Sequence, residues 1–206
     1  MKRGKMLSKE WYENWFSGKE KILGFNIGRP HPGLIEILGN RLLKAGRVLV
    51  PACGIGYDAV LLAERGFEVV AFDFSVNAIR KAQSKAKSRG KLKGSLRFVV
   101  EDIYNLPDSY RNAFDYVVEI GNFQAMSVKE RREYVKIMSQ VLVFGGKCIV
   151  ICKKYPPLTL GPKGLKKSSL QNYFSKAFAV EHIESVLMYR KTPPPDGFRL
   201  VARKRK

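Results

Sequence analysis

The chain has 206 residues, 45% of them hydrophobic and 11% aromatic, which is enough to close a core without disulfide or metal staples. Its 18 Gly and 10 Pro are dispersed, which excludes collagen-like and low-complexity classes, and no apolar run approaches the roughly 20 residues of a membrane helix. Lys+Arg 38 against Asp+Glu 18 leave a formal net charge of +20, so attraction to polyanions is expected whatever the fold.

The basic start Met1–Leu7 runs straight into polar Ser8-Lys-Glu10 with no apolar signal region, which predicts a protein that is not secreted. The sparse cysteines, Cys53, Cys148 and Cys152, predict reduced thiols and a cytoplasmic location. Two helices are expected first, over Ser8–Phe16 and Pro32–Lys44, joined by a Gly/Pro-rich turn around Phe25–Pro32. In the first of them Trp11, Tyr12, Trp15 and Phe16 recur at helical spacing, which suits either a buried docking stripe or a lid.

From Arg47 onward strand-length apolar runs alternate with amphipathic segments, the pattern of a doubly wound α/β sheet. Strands are expected at Arg47–Pro51, Glu68–Asp73, Ser95–Val100, Phe114–Ile120 and Lys147–Lys153. They are apolar almost throughout, as strands covered on both faces must be. Helices are expected at Asp58–Arg65, from a Ser75 cap to Gly90, and from the capping box Ser127-x-x-Glu130 to about Val143, where Gly145-Gly146 should end it. Tyr155–Pro162 is too rich in Pro for regular structure and is expected to be a loop. Two last strands, Ala179–Met188 and Phe198–Arg203, are expected to pair antiparallel at one edge.

The sharpest motif is Val48-Leu-Val-Pro-Ala52-Cys-Gly54-Ile-Gly56-Tyr57-Asp58, a strand running into a Gly-rich turn and a helix, whose N-terminus presents free N–H groups. Seventeen residues past Gly56 stands Asp73, placed to accept from two ribose hydroxyls, with Phe74 beside it. Gly54-x-Gly56-x-x-Ala59 also fits the dinucleotide fingerprint, so the loop alone does not separate NAD from another nucleoside. The acids beyond it do: Glu101-Asp102-Ile103 follows the third strand and Glu119 ends the fourth. An acid-lined edge suits a cation and repels a pyrophosphate, which favours S-adenosyl-L-methionine as the cofactor. His31 and His182 lack metal-spaced partners, so no metal is expected.

These segments resemble the class I S-adenosylmethionine-dependent methyltransferases, and among them the thiopurine, thiol and halide methyltransferase family. Trp11-Tyr-Glu13-Asn-Trp15 is similar to the family's W-x-x-x-W segment, and Phe25-Asn26-Ile-Gly28-Arg29-Pro-x-Pro32 to its W-D-x-G-R-x-x-P turn. Val50-Pro-Ala-Cys-Gly54-x-Gly56-x-Asp58 resembles its V-P-x-C-G-x-G-x-D loop, and Tyr155-Pro156-Pro157 its G-P-P-Y loop. The resemblance implies one Rossmann-like domain with a seven-stranded, mostly parallel sheet whose last strand is antiparallel. Residues 1–45 would be a helical lid and 46–206 the core. It further implies that Trp11 and Trp15 close over the cofactor, that Gly54 and Gly56 admit its methionine part, that Asp73 holds the ribose, and that Asp102 and Ile103 flank the adenine, with Ala52, Asp58, Phe74 and Glu119 also among the cofactor-binding residues. Glu119 occupies the family's acidic position after the fourth strand. Phe25, Asn26, Arg29, Ile120, Tyr155 and Pro157 fall on the substrate side, where Phe25 and Asn26 replace the usual Trp and Asp and Ile120 replaces an Arg or Tyr.

The acceptor is expected to be a small thiol or a related sulfur, selenium or halide species. Should a general base be needed, Glu119, Tyr57 and Glu13 are candidates. The competing readings are an RNA or protein methyltransferase and a noncatalytic nucleoside or nucleic-acid binding protein, both motivated by the charge. Nonspecific nucleic-acid contact is expected through Arg80–Arg97, which holds eight Lys/Arg and no acid, and through the basic C-terminus.

Overall fold

The structure is a computed structural model that describes residues 9–18, 28–40, 42–155, 164–188 and 195–206. In chain order the helices are α1 (Lys9–Ser17), α2 (Pro32–Gly39), α3 (Tyr57–Glu64), α4 (Val76–Lys87), α5 (Val128–Val141) and α6 (Lys167–Phe174). The strands are β1 (Arg47–Pro51), β2 (Glu68–Asp73), β3 (Ser95–Val100), β4 (Phe114–Ile120), β5 (Leu142–Lys153), β6 (Phe178–Val186) and β7 (Gly197–Lys204). They form one sheet in the order β3-β2-β1-β4-β5-β7-β6. β1 to β5 run parallel, and β7 is antiparallel to both β5 and β6. Among the described residues no helix is long and apolar enough to cross a membrane.

Alternation along each strand builds two cores. Leu49, Val70, Phe72 and Val117 face α5 and α6, packing with Phe123, Tyr134, Met138 and Phe174. Val48, Val50, Val69, Ala71 and Val118 face the other way, toward Leu34, Ile37, Ala59 and Leu62 of α2 and α3. Each fully buried Leu, Val or Phe contributes about 1.5–3 kcal/mol, so both faces must be covered. Cys148 and Cys152 are buried free thiols of this core.

Three expectations are corrected. α2 stops at Gly39, with Asn40 as its C-cap, and Leu43 reaches the core from the non-helical chain beyond it. α5 ends at Val141 and β5 starts at Leu142 with no turn between them. Gly145 and Gly146 lie inside that strand, where Gly145 has φ +78° and the register against β4 shifts between Phe114 and Tyr116. They therefore form a bulge in the strand and not a helix stop. α6 was not expected, because Lys167–Phe174 is polar apart from Leu170 and Phe174, its two buried contacts.

The chain reverses its winding between β1 and β4. These strands pair only through Val48↔Tyr116 and Leu49↔Val117, so their C-terminal ends part and leave a crevice at the switch point.

Candidate active site

The loop leaving β1 turns back within five residues by placing Ala52 (φ +49°), Gly54 (φ +52°) and Gly56 (φ +81°) in the left-handed region. The Cys53 N–H donates to the Phe72 carbonyl at 2.9 Å and fixes the loop against β2. Gly56 is required sterically: a Cβ there would lie 2.7 Å from Phe98 Cζ and 3.0 Å from Ala82 Cβ. Above Gly54 the nearest atom to such a Cβ is Phe16 Cζ, at 3.6 Å.

Asp73, 4% exposed, accepts the Gly54 N–H at 2.9 Å on one carboxylate oxygen and the Ser75 N–H at 3.0 Å on the other. Burial raises its pKa, those hydrogen bonds lower it in part, and the charge of Glu13 raises it again. Ser75 Oγ in turn caps α4 by accepting the Ala78 N–H. One acid thus joins the Gly loop to the start of the next helix.

α1 lies across this junction. Phe16 is buried against Ile55 and Ala78, Tyr12 meets Phe74 edge-on at 6.0 Å, and Trp11 stacks parallel to Trp15 at 6.5 Å. Glu13 Oε1 accepts from Asn77 Nδ2 at 2.7 Å, Lys81 Nζ donates to the Gly18 carbonyl at 3.2 Å, and the Lys9 ammonium pairs with Asp102. The aromatic stripe is therefore a docking face that seats α1 against the Gly loop and α4. Glu13 Oε2 is buried and finds no hydrogen-bond partner among the described residues.

Beneath α1 runs a groove of about 540 Å³. Phe74, Val76 and Val100 form its apolar walls, and Glu10, Glu13, Glu101 and Asp102 supply four carboxylates against the single ammonium of Lys9. Desolvation pushes the Asp102 carboxyl up, but the Lys9 ammonium and the Tyr104 N–H outweigh it and hold the group below its ordinary value. A flat apolar slot rimmed by carboxylates, with an orphaned carboxylate oxygen at one end, suits a planar base carried by a cation. The residues present fit S-adenosyl-L-methionine better than a dinucleotide.

The structure brings Trp11, Glu13, Trp15, Gly54, Asp73, Phe74 and Asp102 into this one region. It places Glu119 elsewhere. That residue is fully buried on the α5 side of the sheet, and its Oε1 accepts the N–H groups of Asn122 at 2.6 Å and Phe123 at 2.8 Å. Burial raises its pKa to about 7. Shut inside the core, it lacks the access that a catalytic base or a cofactor ligand needs, and its work is to hold the turn after β4. Ile103 likewise packs against the core and does not line the groove. Tyr57 packs beside Phe16 and lies under Lys85 Nζ, 4.0 Å from its ring centre. Asp58 accepts the His31 N–H at 2.7 Å, and burial raises its pKa to about 6, so it ties the segment at residues 28–31 to the Gly loop. Arg29 on that segment is exposed. Phe25, Asn26 and Pro157 lie outside the described residues.

Lys9, Glu10, Val76 and Val100 went unrecognised in the sequence because nothing marks groove-facing positions in an ordinary helix or strand end. Also unforeseen is a polar set where β5 ends and β7 begins. Lys153 and Asp196 are buried there, beside a buried Arg199 that donates to the Gly33 carbonyl at 2.8 Å and pairs with Glu36 and Glu184. His31 caps α2 by accepting the Gly33 N–H on Nδ1, and burial lowers its pKa to about 4, so it stays neutral. Ile120 packs nearby with Ile151, Val186 and Met188, and half-exposed Tyr155 follows at the end of β5.

Residues 6–195 match the family described as Thiopurine S-methyltransferase (TPMT). A 2-heptyl-1-hydroxyquinolin-4(1H)-one methyltransferase of Mycobacteroides abscessus is 29% identical over 177 residues, covering 84% of this chain and 75% of the relative. Thiocyanate methyltransferase 1 of Brassica oleracea is 32% identical over 143 residues, 68% of this chain and 60% of the plant protein. The chain thus spans under two thirds of the plant relative's length. Among solved structures, the N-methyltransferase NodS from Bradyrhizobium japonicum, in complex with S-adenosyl-L-homocysteine, superposes with a TM-score of 0.73 at 14% identity, covering 96% of this chain and 98% of that one. At such identity the likeness is one of fold.

Proposed function

The chain belongs to the thiopurine S-methyltransferase family, and from that premise we propose that it transfers a methyl group from S-adenosyl-L-methionine to a small sulfur nucleophile. The observation that carries the cofactor is the carboxylate-rimmed groove beneath α1, whose Phe74 wall adjoins the Asp73 that holds the Gly54 loop. When bound, the cofactor supplies an electrophilic methyl carbon on a sulfonium.

The protein's own residues bind, orient and exclude water. Phe74, Val76 and Val100 take the two faces and edge of the adenine, with Glu101 and Asp102 accepting at its rim. Asp73 serves the ribose while it holds the Gly54 and Ser75 backbones in place, so the same carboxylate shapes the loop and reads the ligand. Glu13 brings its unpaired oxygen to a cationic or hydroxyl group of the cofactor. Trp11, Trp15 and Phe16 cover the crevice, and the lid is α1 alone: α2, expected to belong to a lid over residues 1–45, is part of the core because its Leu34 and Ile37, and Leu43 beyond it, are buried against the sheet. Alignment of this kind supplies most of what an in-line displacement requires.

On the acceptor side Arg29, Ile120 and Tyr155 edge the polar set around Lys153 and Arg199. Arg199 is committed to Glu36 and Glu184 and Lys153 lies near Asp196, so this set does not select an anion by charge, and an acceptor thiol enters as a thiolate already formed in solution. Relatives named for thiocyanate and thiol acceptors support the sulfur class.

Calorimetry with S-adenosyl-L-homocysteine and NAD in parallel tests the cofactor, with binding of the first alone expected. A panel of thiols, thiocyanate, halides, amines and hydroxyquinolines, offered with a labelled methyl donor, tests the acceptor. Methylation of amines or hydroxyls with inert thiols would overturn the sulfur assignment.

A further inference from the structure

The charge is arranged differently in space from its arrangement in sequence. Several cations of the Arg80–Arg97 run are committed within the molecule: Lys81 to the end of α1, Lys85 over Tyr57, and Arg97 to the Tyr110 hydroxyl at 3.3 Å. The opposite situation holds between α5 and α6, where residues far apart in sequence converge on a groove of about 590 Å³. Arg132 and Lys136 stand one turn apart on α5 and face Lys176 just beyond α6. No carboxylate lines this groove, and among the described residues none of the three is paired with one. Ser169 and Asn172 add hydrogen-bonding groups and half-buried Tyr173 adds an aromatic ring.

The groove lies at the edge where the parallel strands begin. Lys176 and Ala177 lead into Phe178, the first residue of β6, whereas the cofactor groove sits where β2 and β3 end. The Arg205 N–H donates to the Ala177 carbonyl at 3.4 Å, which sets the C-terminal segment beside the groove; Arg203 is committed to Glu181 and Lys204 to Asn112 and the Leu142 carbonyl, so exposed Arg205 and Lys206 are the cations that extend the positive surface.

From this arrangement we propose that the α5–α6 groove binds the phosphate backbone of single-stranded nucleic acid, at a site separate from the methyl-transfer crevice. The cations carry the backbone, and Tyr173 with its polar neighbours offers a nucleotide-sized recess of the kind that accepts an unstacked base. A strand seated there leaves the cofactor groove open, so this surface serves recruitment or tethering and not substrate turnover.

The test titrates a labelled single-stranded RNA of about ten nucleotides against the whole protein across a salt series. The variant Arg132→Ala/Lys136→Ala/Lys176→Ala should bind at least about tenfold more weakly, and its log–log salt dependence should be shallower by about 2, as three lost single-strand phosphate contacts require. Unchanged S-adenosyl-L-homocysteine binding and unchanged thermal unfolding verify that the variant is folded, and Lys136→Glu provides a second, single-site reading in the same direction. A control with Lys85, Lys87, Lys91 and Lys93 changed to Ala should keep most of the affinity. The proposal is overturned if that control loses as much as the groove variant, if the groove variant binds like the parent, or if inorganic tripolyphosphate binds the groove while the RNA does not.

Discussion

Replacing Glu119 with glutamine should stabilise the fold as pH rises and leave cofactor binding intact. The carboxyl is fully buried, and burial outweighs the two N–H groups from Phe123 and Asn122 in setting its pKa, which rises from 4.5 to about 7. Between those values the unfolded chain gives up the proton while the folded one keeps it, so stability falls as pH rises and the loss is complete above about 7. At about 1.4 kcal/mol for each tenfold change in proton activity, the loss amounts to about 3 kcal/mol. Glutamine keeps an oxygen for the two N–H groups and removes the charge. Its amide nitrogen falls where Oε2 is unpartnered, as is the Tyr134 hydroxyl, and an unmade hydrogen bond there costs about 1–3 kcal/mol at every pH. The diagnostic is therefore the slope: in urea denaturation from about pH 5 to about pH 8 the variant should gain most of 3 kcal/mol on the parent. Parallel stability curves would refute the burial argument, and lost S-adenosyl-L-homocysteine binding at unchanged stability would return Glu119 to the active site.

Asp73→Asn should weaken S-adenosyl-L-homocysteine binding by about 1.5–3 kcal/mol, the worth of a charged hydrogen bond, and equal calorimetric affinities would remove Asp73 from the ribose site. Gly56→Ala should cost at least about 2 kcal/mol more than Gly54→Ala, because both strain a left-handed residue but only the former meets Phe98 and Ala82 at 3.0 Å or less. Equal denaturation midpoints would contradict that steric ranking. Phe16→Ala should undock α1, exposing residues 9–18 to protease and shifting the emission of the chain's two tryptophans, with protection regained on cofactor addition. A protease pattern and emission identical to the parent's would show that Phe16 does not seat the helix.

β1 to β4 are legible to the residue because each is a short, mainly apolar or β-branched run bounded by polar turns. The capping box at Ser127 and the Ser75 cap were equally plain, since each is a local chemical pattern. α6 was not, because its sequence is polar and two buried side chains carry its docking. The Gly loop and Asp73 stand out by spacing, whereas Glu119, expected as one more acid at the cofactor edge, is fully buried on the α5 side of the sheet. Its direction was nonetheless written in the strand: Val117 faces α5 and Val118 faces away, so a two-residue period carries Glu119 toward α5. The α5–α6 groove was invisible, since Arg132 and Lys176 become neighbours only through packing.

β7 follows β6 in the chain yet lies between β5 and β6 in the sheet. A ribosome therefore delivers β6 before the strand to which it pairs. Until β7 emerges, β5 and β6 stand as separate apolar edges, the condition under which nascent chains stick to one another. Truncation or stalling within these last residues takes out the seam that joins β6 and α6 to the rest of the molecule, with two hydrogen-bonded ladders lost at once. Synthesis runs from one end to the other, but this side of the sheet can close only when β7 arrives.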